Sequence, residues 1–308
     1  MFIRLNEGWK IPEQLATPEA AYLNRRTVLK ALGITGMGMM GNAGFAFGAT
    51  EGTYPAKRNP DFILDRPLTD EKVAGKYNNF YEFTTVKEEV YQLAEKFETH
   101  PWQIEVSGEV DKKKTYDVDD LIGRMPMEER LYRFRCVEAW AMAVPWTGFP
   151  LKHLIKEIKP KSTAKFVRML TFLRPDTAPG QKEQPWYPWP YYEALTMEEA
   201  MNDLTMLVTG IYGHELPKQH GAPIRLITPW KYGYKSIKSI VSIEFTRKQP
   251  PTFWNKIAPL EYDFYSNVNP VIPHPRWSQA TERLIDTGNR VPTKPFNGYG
   301  EYVAHLYV

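Results

Sequence analysis

Apolar and polar side chains alternate along Trp102-Gln103-Ile104-Glu105-Val106, the period-two signature of a strand with one face buried. Val241, Ile243 and Phe245 repeat that alternation and predict a second strand. Residues 131–136, 165–172, 206–211 and 223–228 read as further strands, the first running straight into a cysteine-bearing loop. Helices are short and announced by caps. Asp117 is placed to cap one, with Asp120 three residues on. Thr196-Met197-Glu198-Glu199 is a capping-box pattern opening a helix through Met201. Ser278 is read as the cap of a helix running to Ile285. Residues 50–70 read as an extended linker, polar and proline-bearing. No internal repeat and no second linker interrupt the pattern. Scattered helices without regular βαβ alternation predict a single mixed α+β domain over residues 47–308.

The hydropathy changes character at the N-terminus. Adjacent Arg25 and Arg26 precede Thr27-Val28-Leu29-Lys30, and a mild Gly/Met/Ala-rich apolar stretch follows to Phe47. Gly44-Phe45-Ala46 offers small residues for a signal peptidase. Residues 1–46 are therefore expected to be a twin-arginine signal peptide, handled by the twin-arginine export machinery and removed in the periplasm. The apolar run is short and glycine-rich for a transmembrane anchor, and no other segment is apolar enough to cross a bilayer. That export route carries folded proteins, so it suits an enzyme loaded with a complex cofactor beforehand.

Composition narrows the class. Hydrophobic residues make up 43% and charged residues 24%, which allows a sizeable core. The 26 prolines and 14% aromatics lean toward short strands and long ordered loops. A net charge of +3 without a basic block points to no nucleic-acid partner. Cys136 is the only cysteine, so it forms no intrachain disulfide; it is an inert core thiol, a reactive one or a metal ligand. Arg133, Arg135 and Glu138 beside it are unusual company for an inert thiol. Cations there are expected to favour the thiolate, the form that binds metal.

Several motifs, in order, carry a resemblance. Tyr77-Asn78-Asn79-Phe80-Tyr81-Glu82-Phe83, Arg135-Cys136-Val137-Glu138-Ala139-Trp140, residues 144–151 (Val-Pro-Trp-Thr-Gly-Phe-Pro-Leu), Pro229-Trp230-Lys231-Tyr232-Gly233-Tyr234-Lys235, Asn267-Val268-Asn269-Pro270 and His274-Pro275-Arg276-Trp277-Ser278-Gln279-Ala280 resemble the catalytic subunits of periplasmic protein-methionine-sulfoxide reductases, small members of the sulfite-oxidase superfamily. The resemblance implies the sulfite-oxidase-like molybdopterin-binding fold and a molybdenum cofactor with one molybdopterin per molybdenum. It implies that Cys136 is the metal ligand and catalytic, with Glu138 as a further catalytic candidate. It places cofactor contacts at Asn78, Tyr81, Glu82, Thr171, His220, Arg225, Ser236, Ile237 and Lys238. Two positions depart from the family pattern: His220 stands where asparagine is common, and Ser236 where glycine is. The implied partners are oxidised periplasmic proteins as substrates and a haem-containing membrane subunit, fed by quinol, as electron donor.

The residues support such a site on their own terms. Thiolate is a soft, strongly donating ligand suited to a metal that changes oxidation state. Arg225, Lys231, Lys235 and Lys238 lie in one segment and could hold a phosphate by charge-assisted bonds, or form a solvated basic edge. Glu138 could relay protons or form a salt bridge with Arg133 or Arg135. The run Trp186-Tyr187-Pro188-Trp189-Pro190-Tyr191-Tyr192 is a loop that either rims a substrate entrance or packs on the core. No closely spaced histidine pattern marks a zinc site. Rival readings are a Cys136 thiol hydrolase, a non-catalytic aromatic binding module, a sulfite oxidase and a reductase of small S- or N-oxides. Arg133 and Arg135 share a strand face, which keeps the sulfite reading open.

Overall fold

The computed structural model describes residues 53–308; the expected leader and the boundary at residue 46 lie outside the described residues. Twelve strands form two mixed sheets among the described residues. The first contains β1 (Gln103–Gly108), β2 (Lys114–Asp117), β5 (Phe166–Thr171), β6 (Tyr192–Thr196) and β10 (Ile240–Thr246), in the order β2-β1-β10-β5-β6. Its β1 and β10 pair in parallel and its other neighbours are antiparallel. Ile104, Val106, Ile243 and Phe245 all turn to the buried face, as the alternation requires.

The second sheet is built on β4 (Trp140–Pro150), whose eleven residues are all buried. Its residues 141–148 pair with the whole of β3 (Glu128–Arg135), and its second half pairs with β7 (Met206–Ile211). β8 (His214–Glu215) and β9 (Arg225–Ile227) pair with β7, while β11 (Thr281–Leu284) and β12 (Arg290–Pro292) continue from the start of β4. The close β4–β7 approach needs Gly148: a Cβ there would sit 2.2 Å from the Leu207 carbonyl oxygen.

Among the described residues eight short α-helices punctuate the sheets: α1 (Glu71–Gly75), α2 (Val90–Leu93), α3 (Val118–Arg124), α4 (Leu151–Ile158), α5 (Pro179–Glu183), α6 (Met197–Met201), α7 (Phe253–Ile257) and α8 (Gly300–Val303). Asp117 caps α3 by accepting from the Asp119 and Asp120 amides. The Thr196/Glu199 capping box closes reciprocally at α6. The helix expected from Ser278 is not formed; residues 281–284 are β11 instead. Glu282 is buried there between Arg66 and Arg135, so tertiary ion pairs and strand pairing override a locally helix-compatible sequence.

Two hydrophobic cores result. One gathers Phe83, Phe97, Trp102, Phe172 and Phe253 around the first sheet; the other gathers Tyr132, Phe134, Trp146 and Trp230 around the second. Among the described residues no helix is long and apolar enough to cross a membrane.

Candidate active site

A pocket opens where the two cores meet. Phe80, Tyr191 and Ile237 face it from the first core, and Phe134, Trp140 and Met142 from the second. Cys136 sits on its wall, in the tight turn joining β3 to β4. That turn is closed by the Ala139 amide donating to the Cys136 carbonyl at 3.1 Å, with Ala139 held at φ 61°. Asn79 Nδ2 and the Glu138 amide each approach Cys136 Sγ at 3.4 Å.

The arginines beside Cys136 do not act as the sequence suggested. Arg133 turns to Asp65, and Arg135 to Glu282, Gln279 and Thr293, so neither lines the cavity. Burial, reinforced by the Glu138 carboxylate, pushes the Cys136 thiol up to about 12. The fold alone therefore holds a protonated thiol, because burial outweighs the cations Lys87 and Arg135; a cation bound at Sγ would supply the missing charge. Glu138 pairs with neither arginine. Its Oε2 receives Lys87 Nζ at 3.0 Å, Trp140 Nε1 at 3.1 Å and Asn79 Nδ2 at 3.3 Å.

The basic segment divides in the same way. Lys231 and Lys235 are fully buried in ion pairs with Glu199 and Glu193, away from the cavity. Arg225 and Lys238 line it, and neither makes a salt bridge among the described residues. Arg225 donates to the carbonyls of His220 at 2.8 Å and Ser236 at 2.9 Å, and burial lowers its guanidinium to about 9. Lys238 donates to the Asn79 carbonyl, with its stem laid against Gly221, where a Cβ would collide at 2.6 Å. Burial lowers the Lys238 ammonium and raises the neighbouring Glu82 carboxyl, so both lean toward neutrality.

Of the residues singled out from sequence, Asn78, Tyr81, Glu82, Cys136, Glu138, Arg225, Ser236, Ile237 and Lys238 share this one wall. Thr171 and His220 do not. Thr171 is buried at the end of β5, donating to the Ser239 carbonyl at 3.1 Å. His220 is buried against Trp146 with Nδ1 unpartnered, and burial beside Arg225 lowers its imidazole to about 3. The Trp186–Tyr192 loop mainly packs on Phe253 through Tyr187, Trp189 and Tyr191; of that run only Tyr191 reaches the cavity. The aromatic rim comes instead from Tyr81, Trp254 and Tyr262. Sequence reasoning missed Asn79, Lys87, Trp254 and Tyr262. The position of Asn79 beside Asn78 was the one available signal.

Residues 91–254 match the oxidoreductase molybdopterin binding domain. The chain is also 49% identical, over 97% of its length and 94% of its relative's, to the protein-methionine-sulfoxide reductase catalytic subunit MsrP of Burkholderia mallei (strain ATCC 23344). The chain belongs to the molybdopterin-binding oxidoreductase family. It is an oxidoreductase with that family's domain. Among solved structures, the sulfane dehydrogenase SoxCD of Paracoccus pantotrophus aligns with 66% of this chain and 57% of its own, at 17% identity and a TM-score of 0.44.

The residues present fit a molybdopterin cofactor. A phosphate-bearing anion answers the two cations that lack carboxylate partners, Arg225 and Lys238. The buried and unpartnered Asn79 Oδ1 on this wall leaves hydrogen-bonding capacity for a polar ligand. Sγ of Cys136 offers the soft donor that molybdenum accepts.

Proposed function

We propose that this chain reduces methionine sulfoxide residues in periplasmic proteins, as a molybdenum enzyme carrying one molybdopterin per metal. The observation that carries the reading is its 49% identity, over nearly the whole chain, to a protein-methionine-sulfoxide reductase catalytic subunit. Cys136 would hold the metal. Asn78, Tyr81, Glu82, Ser236 and Ile237 would bound the pterin, Arg225 and Lys238 would hold its phosphate, and Thr171 and His220 would support that wall, Thr171 through the Ser239 carbonyl and His220 through its own carbonyl on Arg225. The bound molybdenum supplies two-electron oxygen-atom transfer, which with two protons converts a sulfoxide to a thioether and water.

The protein's own part is positioning. Tyr81, Trp254 and Tyr262 offer aromatic faces to a flexible thioether stem, a contact worth about 0.3–1.5 kcal/mol. Glu138 has Oε2 fixed by three donors, which orients Oε1 as the acceptor available to substrate or water. Sulfite, by contrast, is a small anion that needs converging cations. Arg133 and Arg135 are committed to Asp65 and Glu282, which weighs against sulfite. We further propose export as a twin-arginine precursor with residues 1–46 removed, and electrons from quinol through a haem-containing membrane subunit; the words "catalytic subunit" in the relative's name support a partner.

The test supplies reduced dye with an oxidised methionine-rich protein, and separately sulfite with an electron acceptor. Repair of the oxidised protein without sulfite turnover is expected. Efficient sulfite oxidation with no repair would overturn the proposal.

A further inference from the structure

The segment 274–280 contributes no residue to the cavity wall, yet two of its side chains grip the turn that carries Cys136. Trp277 Nε1 and Gln279 Nε2 both donate to the Val137 carbonyl oxygen, each at 2.7 Å. Neither donor is free to wander. The Trp277 ring stacks on His274 with centroids 3.8 Å apart and planes 7° from parallel. Gln279 is buried, and its Oε1 accepts from Arg135 Nη2 at 2.8 Å, which leaves the amide nitrogen facing Val137.

The Val137 carbonyl and the Glu138 N–H belong to one planar peptide unit, and in a trans peptide they point in opposite directions. Drawing the carbonyl toward segment 274–280 therefore aims the N–H the other way. It does point to Cys136 Sγ, at 3.4 Å. An N–H donated to a thiolate withdraws electron density from the sulfur and weakens its donation to a bound metal. We infer that Trp277 and Gln279 are positioning residues that aim the Glu138 amide at Cys136 Sγ and so tune the cysteine ligand. This rests on Cys136 being the molybdenum ligand. It also gives a role to the His274-Pro275-Arg276-Trp277-Ser278-Gln279-Ala280 motif. The hold on this turn is doubled by Arg135, which donates through Nη1 to the adjacent Cys136 carbonyl.

Two substitutions isolate the donors. Trp277→Phe keeps an aromatic ring for the stack on His274 and deletes Nε1–H. Gln279→Glu keeps an acceptor for Arg135 and deletes the amide donor. In the holoenzyme, the midpoint potential of molybdenum is measured by redox titration followed by electron paramagnetic resonance, together with the energy of the sulfur-to-metal charge-transfer band. Resonance reports only metal-loaded molecules, so partial cofactor loss does not obscure the reading. The expected result is a lower potential and a displaced band in each variant, both further from wild type in the double variant. Wild-type values in both single variants and the double, with both observables displaced in Cys136→Ser, would overturn the inference and leave the ligand assignment standing. Wild-type values in Cys136→Ser as well would overturn both.

Discussion

Arg225 and Lys238 face the same cavity but are not equivalent. Lys238 makes one hydrogen bond, to the Asn79 carbonyl, whereas Arg225 also ties together the carbonyls of His220 and Ser236. Lys238→Met should lower molybdenum content roughly 10- to 100-fold, since a hydrogen bond to a charged group contributes about 1.5–3 kcal/mol. It should lower the melting temperature of cofactor-free protein less than Arg225→Met does, because it frees one carbonyl, that of Asn79, and removes a desolvated cation that lacks a salt-bridge partner. Arg225→Met should lower both, because it also leaves buried carbonyls unsatisfied, each at about 1–3 kcal/mol. Metal analysis and thermal unfolding of the two variants check the contrast; wild-type metal content in both would show that these cations do not hold the cofactor. His220 yields a pH dependence. Its imidazole is held neutral down to about 3, so between there and its ordinary 6.5 the unfolded chain binds the extra proton. Stability from this group is full above 6.5 and is lost as pH falls toward 3. In cofactor-free protein, His220→Gln should shrink the drop in melting temperature between pH 7 and pH 4.5, and an unchanged drop would contradict the assignment.

At the scale of elements, β1, β5 and β10 were legible because their burial largely alternates, and the α3 and α6 caps because their chemistry is local; β4, buried at every position, carries no alternation and was not predicted. What failed to read was whatever depends on a distant partner. The Thr281-Glu282-Arg283-Leu284 strand has a charged residue at its most buried position, neutralised by arginines far away in sequence. The four cations between residues 225 and 238 looked alike until Glu193 and Glu199 were seen to occupy two of them. Cys136 was expected as a thiolate from the charge of its neighbours, but whether a neighbouring side chain faces the sulfur is set by β3 and β4 together. Nine of the eleven expected site residues do meet on one wall, because the Asn78–Glu82 and Ser236–Lys238 segments are each continuous. The α5 helix gives an element-scale test. A Cβ at Gly180 would lie 2.2 Å from the Tyr81 carbonyl oxygen and 2.9 Å from that of Glu82. Gly180→Ala should push the Tyr81–Glu82 segment into the cavity, costing about 1–3 kcal/mol in stability and reducing cofactor content. Unaltered cofactor content and melting temperature would show that this packing does not set the wall.

For the whole molecule, two sheets with separate cores place the cavity at their junction, where the Asn78–Glu82 segment meets the Cys136 turn through Asn79 Nδ2, 3.4 Å from Cys136 Sγ. Assembly in the cytoplasm followed by export of the folded holoenzyme would suit such a buried site. Replacing both Arg25 and Arg26 with lysine should then retain the precursor in the cytoplasm, and normal periplasmic accumulation would refute that route. The central claim is that Cys136 binds molybdenum. X-ray absorption at the molybdenum edge addresses it directly, comparing wild-type enzyme with Cys136→Ser. The expected result is one sulfur neighbour fewer in the variant with molybdenum still bound; the same number of sulfur neighbours in both proteins would contradict it.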